Sequence, residues 1–539
     1  MLPRLSLPLP PAALALIALA FALPGLAGHD LWKSQDAIAL GIAHNMARTG
    51  ELLVPRVSGL VWLEDPPLYH WVALGFGRLL QGITEFHAAA RLASGVFVLA
   101  AFSLIYRAGR HWSAEDPRTG GAAAFLLLLG SVGLIVHAHE AVPALATLAA
   151  LCGALAALPR AATRPLAAGV AFGVALGAAY LSSSWVPPTA LFVAVVLGHL
   201  VCPAWRTRSG VLFIALAALI GGVMAALWPM ALASRSSELF AQWWALAAAP
   251  QEGFAANLRY FLAATSWFAW PAWPLALWSL WSLRRRWHEP RVFVPAATAL
   301  LMLAGMAYWD PGQSVTLIPL LAPLALLGAL GVHNLRRGAA KALDWFGLIT
   351  FAFFAGLVWL GYVAMMTGFP PRIANNFFKT APGFVPEFHP APLLLALALT
   401  AAWLYLMFFT LYAPTRSLLR WAAGVVLLWG AFATLWLPWA DFQKSYRPVA
   451  LQLRSVVPVG AGCLAQRGLG VPQAASLEYH ADIRARPFDF ARPRACPLLL
   501  VQGNPRHEFD APGAGWVKLA DVGRPGDKSE RFRLYRLQK

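Results

Sequence analysis

The chain has 539 residues, 59% of them hydrophobic and only 12% charged, with a formal net charge of +18. A soluble chain carries about a quarter charged residues, so this much apolar surface excludes a purely water-soluble protein and requires a lipid solvent. The positive charge does not mark a nucleic-acid binder, because Lys and Arg stand in short clusters between apolar runs rather than on one face or in one tail.

In chain order, Arg4 precedes an apolar run from Pro11 to Leu26. No small-residue cleavage motif follows and further hydrophobic segments do, so the run reads as an uncleaved first helix over 10–27. Twelve more runs lie near 90–107, 120–136, 141–158, 166–182, 187–203, 211–231, 263–282, 292–308, 316–333, 344–366, 391–412 and 418–438. At 1.5 Å per residue each approaches the length that crosses a hydrocarbon core of about 30 Å. The expectation is an all-α polytopic membrane protein of about thirteen transmembrane helices over residues 1–440, followed by a small soluble α/β domain over 441–539.

The connections alternate in charge. One set holds Arg107, Arg110 and Arg118, then Arg160 and Arg164, Arg206 and Arg208, Arg284 to Arg286 with Arg291, Arg336 with Arg337 and Lys341, and Arg416 with Arg420. The other holds His137-Ala-His139-Glu140, Ser182-Ser183-Ser184-Trp185 and Tyr308-Trp309-Asp310-Pro311-Gly312-Gln313. The basic set is cytoplasmic by the positive-inside rule. An odd helix count then places the long loops and the C-terminal domain outside, in the periplasm of a bacterial inner membrane, with the N-terminus cytoplasmic.

Three outward segments are too long for turns: 28–89, 232–262 and 367–390. In the first, Ile38, Ile42 and Met46 keep helical spacing over Ala37 to Arg48, and Pro66-Pro67 opens a second helix. Trp, Tyr and His are frequent there, as in helices at the lipid–water boundary. Past Asp441, the spacing predicts strands at Gly462 to Ala465, Cys496 to Val501 and Phe532 to Leu537, with a helix over Gln473 to His480. Cys463 and Cys496 are the cysteines of this domain. In an oxidising compartment they are expected to pair, the alternative being two buried free thiols. Cys152 and Cys202 lie in apolar runs and read as small core residues.

The first outward loop reads Gln35-Asp36-Ala37-Ile38-Ala39-Leu40-Gly41-Ile42-Ala43-His44-Asn45-Met46, then Gly50-Glu51-Leu52-Leu53-Val54-Pro55. It continues Trp62-Leu63-Glu64-Asp65-Pro66-Pro67-Leu68-Tyr69-His70-Trp71. This resembles the first periplasmic loop of the lipid A aminoarabinose transferases and the protein O-mannosyltransferases. Those GT-C glycosyltransferases carry D-E-x-R-Y-A-E-I-x-R-E-M, then x-G-D-W-x-V-P, then E-K-P-P-L-x-Y-W. A weaker echo lies at Leu317-Ile318-Pro319 to Leu327. The resemblance implies transfer of a sugar from a polyprenyl-phosphate carrier to an envelope glycolipid of lipid A type or a protein, with the bilayer as the other partner. It implies no cofactor.

Such chemistry needs a carboxylate to orient the acceptor or take its proton, and cations to offset charge on the leaving phosphate. The D-E pair falls on Gln35-Asp36, which makes Asp36 the expected catalytic acid and Asp30 the second choice. The E-K of E-K-P-P becomes Glu64-Asp65, the Arg of the first loop helix becomes Ile38, and a Lys before the Leu-Ile-Pro run becomes Gln313. A further family Lys falls among Ser182 to Ser184, and an Asp falls on Val142 with Glu140 nearby. The expected phosphate contacts are Arg259 first, then Arg56, Lys33 or His44, with Glu64, Asp65, Gln313 and Glu140 lining the substrate. His137, His139 and Glu140 do not read as a metal site, since alternate residues at a helix end point apart and no fourth ligand is evident. A role for His139 or Glu140 in acid–base chemistry at the cavity rim is the stronger expectation. With so many charges exchanged, a non-catalytic relative that binds or escorts a lipid-linked glycan is the alternative. A transporter ranks third, since no internal repeat is visible.

Overall fold

The computed structural model describes residues 9–538 apart from 114–115, 412, 459–461, 493–494, 505 and 509–511, so Arg4 lies outside the described residues. The chain is a mostly helical, multi-pass membrane protein with a small C-terminal sheet domain. Among the described residues, six helices are long and apolar enough to cross a membrane: Phe86–Trp112, Arg208–Arg235, Pro290–Trp309, Arg337–Thr367, Pro390–Phe409 and Arg416–Leu435. Six shorter apolar helical stretches accompany them, at Pro11–Ala22, Pro117–Leu129, Ala144–Arg160, Pro165–Tyr180, Val186–Val201 and Ser314–Leu330.

Several apolar runs depart from single helices where the chemistry of the backbone requires it. The first, α1 (Pro11–Ala22), stops short of Leu26. The run over 263–282 divides into Phe254–Phe268 and Ala272–Ser282 at Pro271, which cannot donate within a continuous helix. The run over 316–333 opens as a 3₁₀ stretch, Ser314–Leu320, before the α-helix Leu321–Leu330. The run over 120–136 gives Pro117–Leu129 and a separate turn of helix at Leu134–His137.

Helix Pro165–Tyr180 meets Arg208–Arg235 along Gly169, Gly173 and Gly177. A Cβ at these positions would come within 3.1, 2.9 and 2.3 Å of Leu216, Ile220 and Met224 respectively. Where lipid supplies no hydrophobic drive between helices, such small-residue seams permit the close approach that holds them.

The first loop folds as its own layer. Helix α2 (Gln35–Thr49) ends at Gly50, whose φ of 74° is the left-handed cap that glycine supplies freely. A hairpin pairs β1 (Arg56–Val57) with β2 (Leu60–Val61), turning through Ser58 and Gly59, both at positive φ. Helix α3 (Leu68–Leu79) follows the proline pair, and α4 (Phe86–Trp112) descends from it.

The C-terminal domain is a five-stranded sheet of order β4-β3-β5-β7-β6. Strands β3 (Leu464–Arg467), β4 (Ala485–Pro487) and β5 (Leu498–Gly503) run parallel, and β7 (Arg531–Leu537) lies antiparallel between β5 and β6 (Trp516–Val522). Tyr446, Val449, Leu453, Leu477, Leu500, Phe532 and Leu534 form its core. Cys463 and Cys496 are disulfide-bonded, with Cα atoms 5.1 Å apart, one and two residues before the paired positions Leu464 and Leu498 respectively. Helix Val471–Ala481 of this domain lies on α2, where a Cβ on Gly41 would meet that of Ala475 at 2.9 Å.

Candidate active site

The His-, Ser- and Asp-bearing connections converge with the first loop at one end of the helices. Ala141 N–H reaches Asp36, Leu68 N–H reaches the Leu181 carbonyl, and the Gln35 amide reaches Gln313. The arginine connections gather at the other end, where Arg160 meets His111 and Arg416 pairs with Asp344. The two charge classes read from the sequence are thus sorted by the fold into two faces.

At the centre of the loop face, Asp36 is buried and bidentate to a buried partner. Arg91 donates from Nε at 3.0 Å and Nη2 at 2.9 Å, the Trp32 N–H at 3.0 Å and the Ala141 N–H at 2.7 Å. Arg91 also donates to the carbonyls of His29 and Asp30. Burial alone would raise the Asp36 pKa, but the Arg91 charge and hydrogen bonds hold it below the usual carboxylate range. A carboxylate with its acceptor sites filled in this way is arranged to anchor the loop rather than to take a proton from a substrate. That differs from the acid–base role expected of it, and the reason is Arg91, which sequence reading had left inside an apolar helix.

Asp30, the second expected acid, is also held. Ser445 Oγ donates to it at 2.5 Å and Arg447 pairs with it at 2.7 Å while also binding Glu85. Asp30, Glu85 and His87 bring one ligand atom each within 4.8 Å of one another, a spacing compatible with a metal ion. The Arg447 guanidinium already occupies the cationic place between the two carboxylates.

Around the start of α2 the side chains are less committed. Gln35 donates to Gln313 at 3.4 Å. Ser184 donates to Asp310 at 2.9 Å, and the second Asp310 oxygen has no partner among the described residues. Burial pushes the Asp310 pKa up to about 6. Thr147 and Ser183 hydroxyls are 2.7 Å apart. Glu140 bonds His137 at 2.9 Å, whereas His139 is buried, stacked on Trp429 and set between the carbonyls of Ile135 and Phe21. That occupation removes His139 from the rim where an acid–base role was expected.

The remaining expected residues are scattered. Asp65 accepts from the Trp62 indole at 3.1 Å, and its pKa is driven up to about 6 by burial and by neighbouring Glu64. His44 packs against Phe86 and Tyr479 and lines a cavity of about 300 Å³ with Arg447 and His480, at the seam with the C-terminal domain. Lys33 lies 4.0 Å from Glu530 of that domain. Arg56 sits half-buried in the hairpin, and Arg259 is exposed with its Nε 3.4 Å from the Ala255 carbonyl.

Two residues after the last apolar helix complete the cluster. Asp441 accepts from the Asp30 N–H at 2.9 Å and the Trp32 indole at 2.8 Å, and burial beside Asp30 raises its pKa to about 6. Lys444 stands 4.1 Å over the Trp32 ring. Neither was picked out from sequence, because both lie in a short helix, Leu437–Lys444, at the domain boundary, outside any motif.

No family model matches the chain. Among curated proteins it is similar to the undecaprenyl phosphate-alpha-4-amino-4-deoxy-L-arabinose arabinosyl transferase of Pseudomonas aeruginosa, 29% identical over 359 residues and 61% of each chain. The enzyme of that name from Pseudomonas fluorescens is 26% identical over 433 residues, covering 77% of this chain and 72% of the relative. A more similar but shorter match, 36% over 119 residues, covers 21% of this chain and of the Pseudomonas savastanoi enzyme. The chain thus spans 61% of the Pseudomonas aeruginosa relative's length and 21% of the Pseudomonas savastanoi relative's. Among solved structures it is similar to ArnT from Cupriavidus metallidurans bound to undecaprenyl phosphate, with a TM-score of 0.69 and 18% identity over 97% of both chains. The Archaeoglobus fulgidus oligosaccharyltransferase aligns with a TM-score of 0.50 and 12% identity over 89% of this chain and 64% of that one. These likenesses establish the fold as that of the GT-C enzymes, and they bear out the resemblance read in the first loop.

Proposed function

We propose that the chain is a membrane glycosyltransferase that moves a sugar from a polyprenyl-phosphate carrier, undecaprenyl phosphate by analogy with its relatives, to an envelope glycolipid of lipid A type. The observation that carries this reading is its similarity to the aminoarabinose transferases over 359 residues, joined to a loop face that gathers carboxylates. In the reaction, an acceptor oxygen attacks the anomeric carbon, the bond from that carbon to the phosphate oxygen breaks, and the phosphate leaves with the electron pair. The acceptor proton passes to a carboxylate. Asp310, with one oxygen unpartnered and its pKa near neutrality, and Glu140, backed by His137, fit that task better than the saturated Asp36. Glu64 and Asp65 line the approach.

Thirteen membrane crossings, with the loop face and residues 441–539 in the periplasm and the N-terminus in the cytoplasm, belong to the same proposal. The separation of arginine-rich and arginine-poor connections supports it. The test is transfer from a labelled undecaprenyl-phosphate aminosugar to a lipid A acceptor in proteoliposomes. Glycosylated acceptor is expected; carrier binding without turnover across a panel of donors and acceptors would overturn the enzymatic reading.

One contact favours the second reading, a non-catalytic relative that binds or escorts a lipid-linked glycan. Gln35 and Gln313 replace an acid and a lysine of the resembling family, and the two neutral amides now bond each other. The same transfer assay separates the two readings.

A further inference from the structure

We infer that Lys444, standing on the Trp32 ring, is the residue that meets the phosphate of the lipid carrier. The inference rests on the carrier-binding part of the proposed function, and it identifies a binding residue that the loop motif does not contain.

The argument begins with which cations are free. Arg91 spends four of its five N–H donors on Asp36 and two carbonyls. Arg447 is shared by Asp30 and Glu85, and Lys33 faces Glu530. Lys444 makes no ion pair among the described residues; its ammonium rests on an aromatic face, 4.1 Å from the ring centroid. A charge-assisted hydrogen bond to phosphate is stronger than a cation–π contact at an accessible site. The ammonium is therefore parked where an anion can draw it away.

The platform is rigid. The Trp32 indole donates to Asp441 at 2.8 Å, three residues before Lys444 on the same helix, and the Trp32 N–H donates to Asp36 at 3.0 Å. Trp32 is 2% exposed while Lys444 is exposed, so a buried ring carries an accessible charge. Position follows from the same contacts: Trp32 precedes Gln35 by three residues, and Lys444 lies within electrostatic reach of Glu140, Asp36 and Asp441.

The experiment measures equilibrium binding of undecaprenyl phosphate to the full-length protein in nanodiscs, with inorganic phosphate and a lipid A phosphate as the comparison ligands. Lys444→Met, which keeps the stem over Trp32 and removes the charge, should weaken carrier binding at least tenfold, and Lys444→Arg should restore it to within about threefold. Arg259→Ala should change it less than threefold. Carrier binding that survives Lys444→Met overturns the inference alone. A loss confined to lipid A phosphate, or equal losses for inorganic phosphate, overturns the assignment to the carrier. Absence of carrier binding in the unsubstituted protein overturns the carrier reading itself and this inference with it.

Discussion

Replacing Asp36 by Asn separates an anchor from a catalyst. The carboxylate accepts four hydrogen bonds, two from Arg91 and two from backbone N–H groups, and both partners of the ion pair are buried. An Asn keeps one acceptor oxygen. Whichever way its amide turns, the NH₂ faces two donors, and Arg91 loses its counter-charge in a site that water does not reach. Breaking one side of a buried pair costs about 3–5 kcal/mol. At about 2–4 °C per kcal/mol, Asp36→Asn should lower the Tm of the detergent-solubilised protein by about 6–20 °C or abolish its accumulation. Arg91→Met should do the same. The double variant should fall well short of the sum, with a coupling of about 2 kcal/mol or more, because its apolar side chain no longer leaves a charge alone. The assay is thermal unfolding followed by tryptophan fluorescence, with carrier binding on the same samples. An Asp36→Asn protein that unfolds within 2 °C of the unsubstituted one, binds carrier and has lost turnover by about two to four orders of magnitude would refute the anchoring role and restore Asp36 as a base.

Non-reducing peptide maps should recover a Cys463–Cys496 link, and Cys463→Ala should cost the C-terminal domain about 3–4 kcal/mol in thermal denaturation; free thiols in protein from an oxidising envelope would contradict it. A reporter fused after Lys539 should be active in the periplasm and one at Arg285 in the cytoplasm, and a cytoplasmic C-terminus would reverse the proposed orientation. Asp441 has a folded pKa of about 6 against an ordinary 3.8, so its contribution to stability is fully present below pH 4 and is lost as pH rises through 6. Tm should therefore fall between pH 5 and pH 7, and Asp441→Asn, which keeps an oxygen for Trp32 and Asp30, should flatten the slope; an unchanged slope would refute the assignment.

The sequence disclosed what repeats over many residues. Apolar runs, alternating arginine clusters, the helical spacing of Ile38, Ile42 and Met46, and the change of composition near Asp441 all correspond to elements of the fold. Breaks inside apolar runs, as at Pro271 or between Leu320 and Leu321, were hidden because the residues stay apolar across them. The site was legible only as a neighbourhood. Asp36 was found from its motif, but its role depends on Arg91, 55 residues away within an apolar helix whose pattern gives no sign of a buried guanidinium. Lys444 and Asp441 reach Trp32 from some 410 residues further along the chain, a distance at which no local pattern speaks.

That distance also sets an order of events during synthesis. The Asp30 N–H and its Asp441 acceptor are 411 residues apart, and Asp30 depends on Ser445 and Arg447 for its side-chain partners. At roughly 5–20 residues per second, the first loop emerges about 20–80 s before the segment that completes it. Through that interval the early loop carries an unpaired carboxylate and an unmatched indole. A chain cut short before Asp441 lacks these partners, so the first loop stays incomplete until the last hundred residues are made.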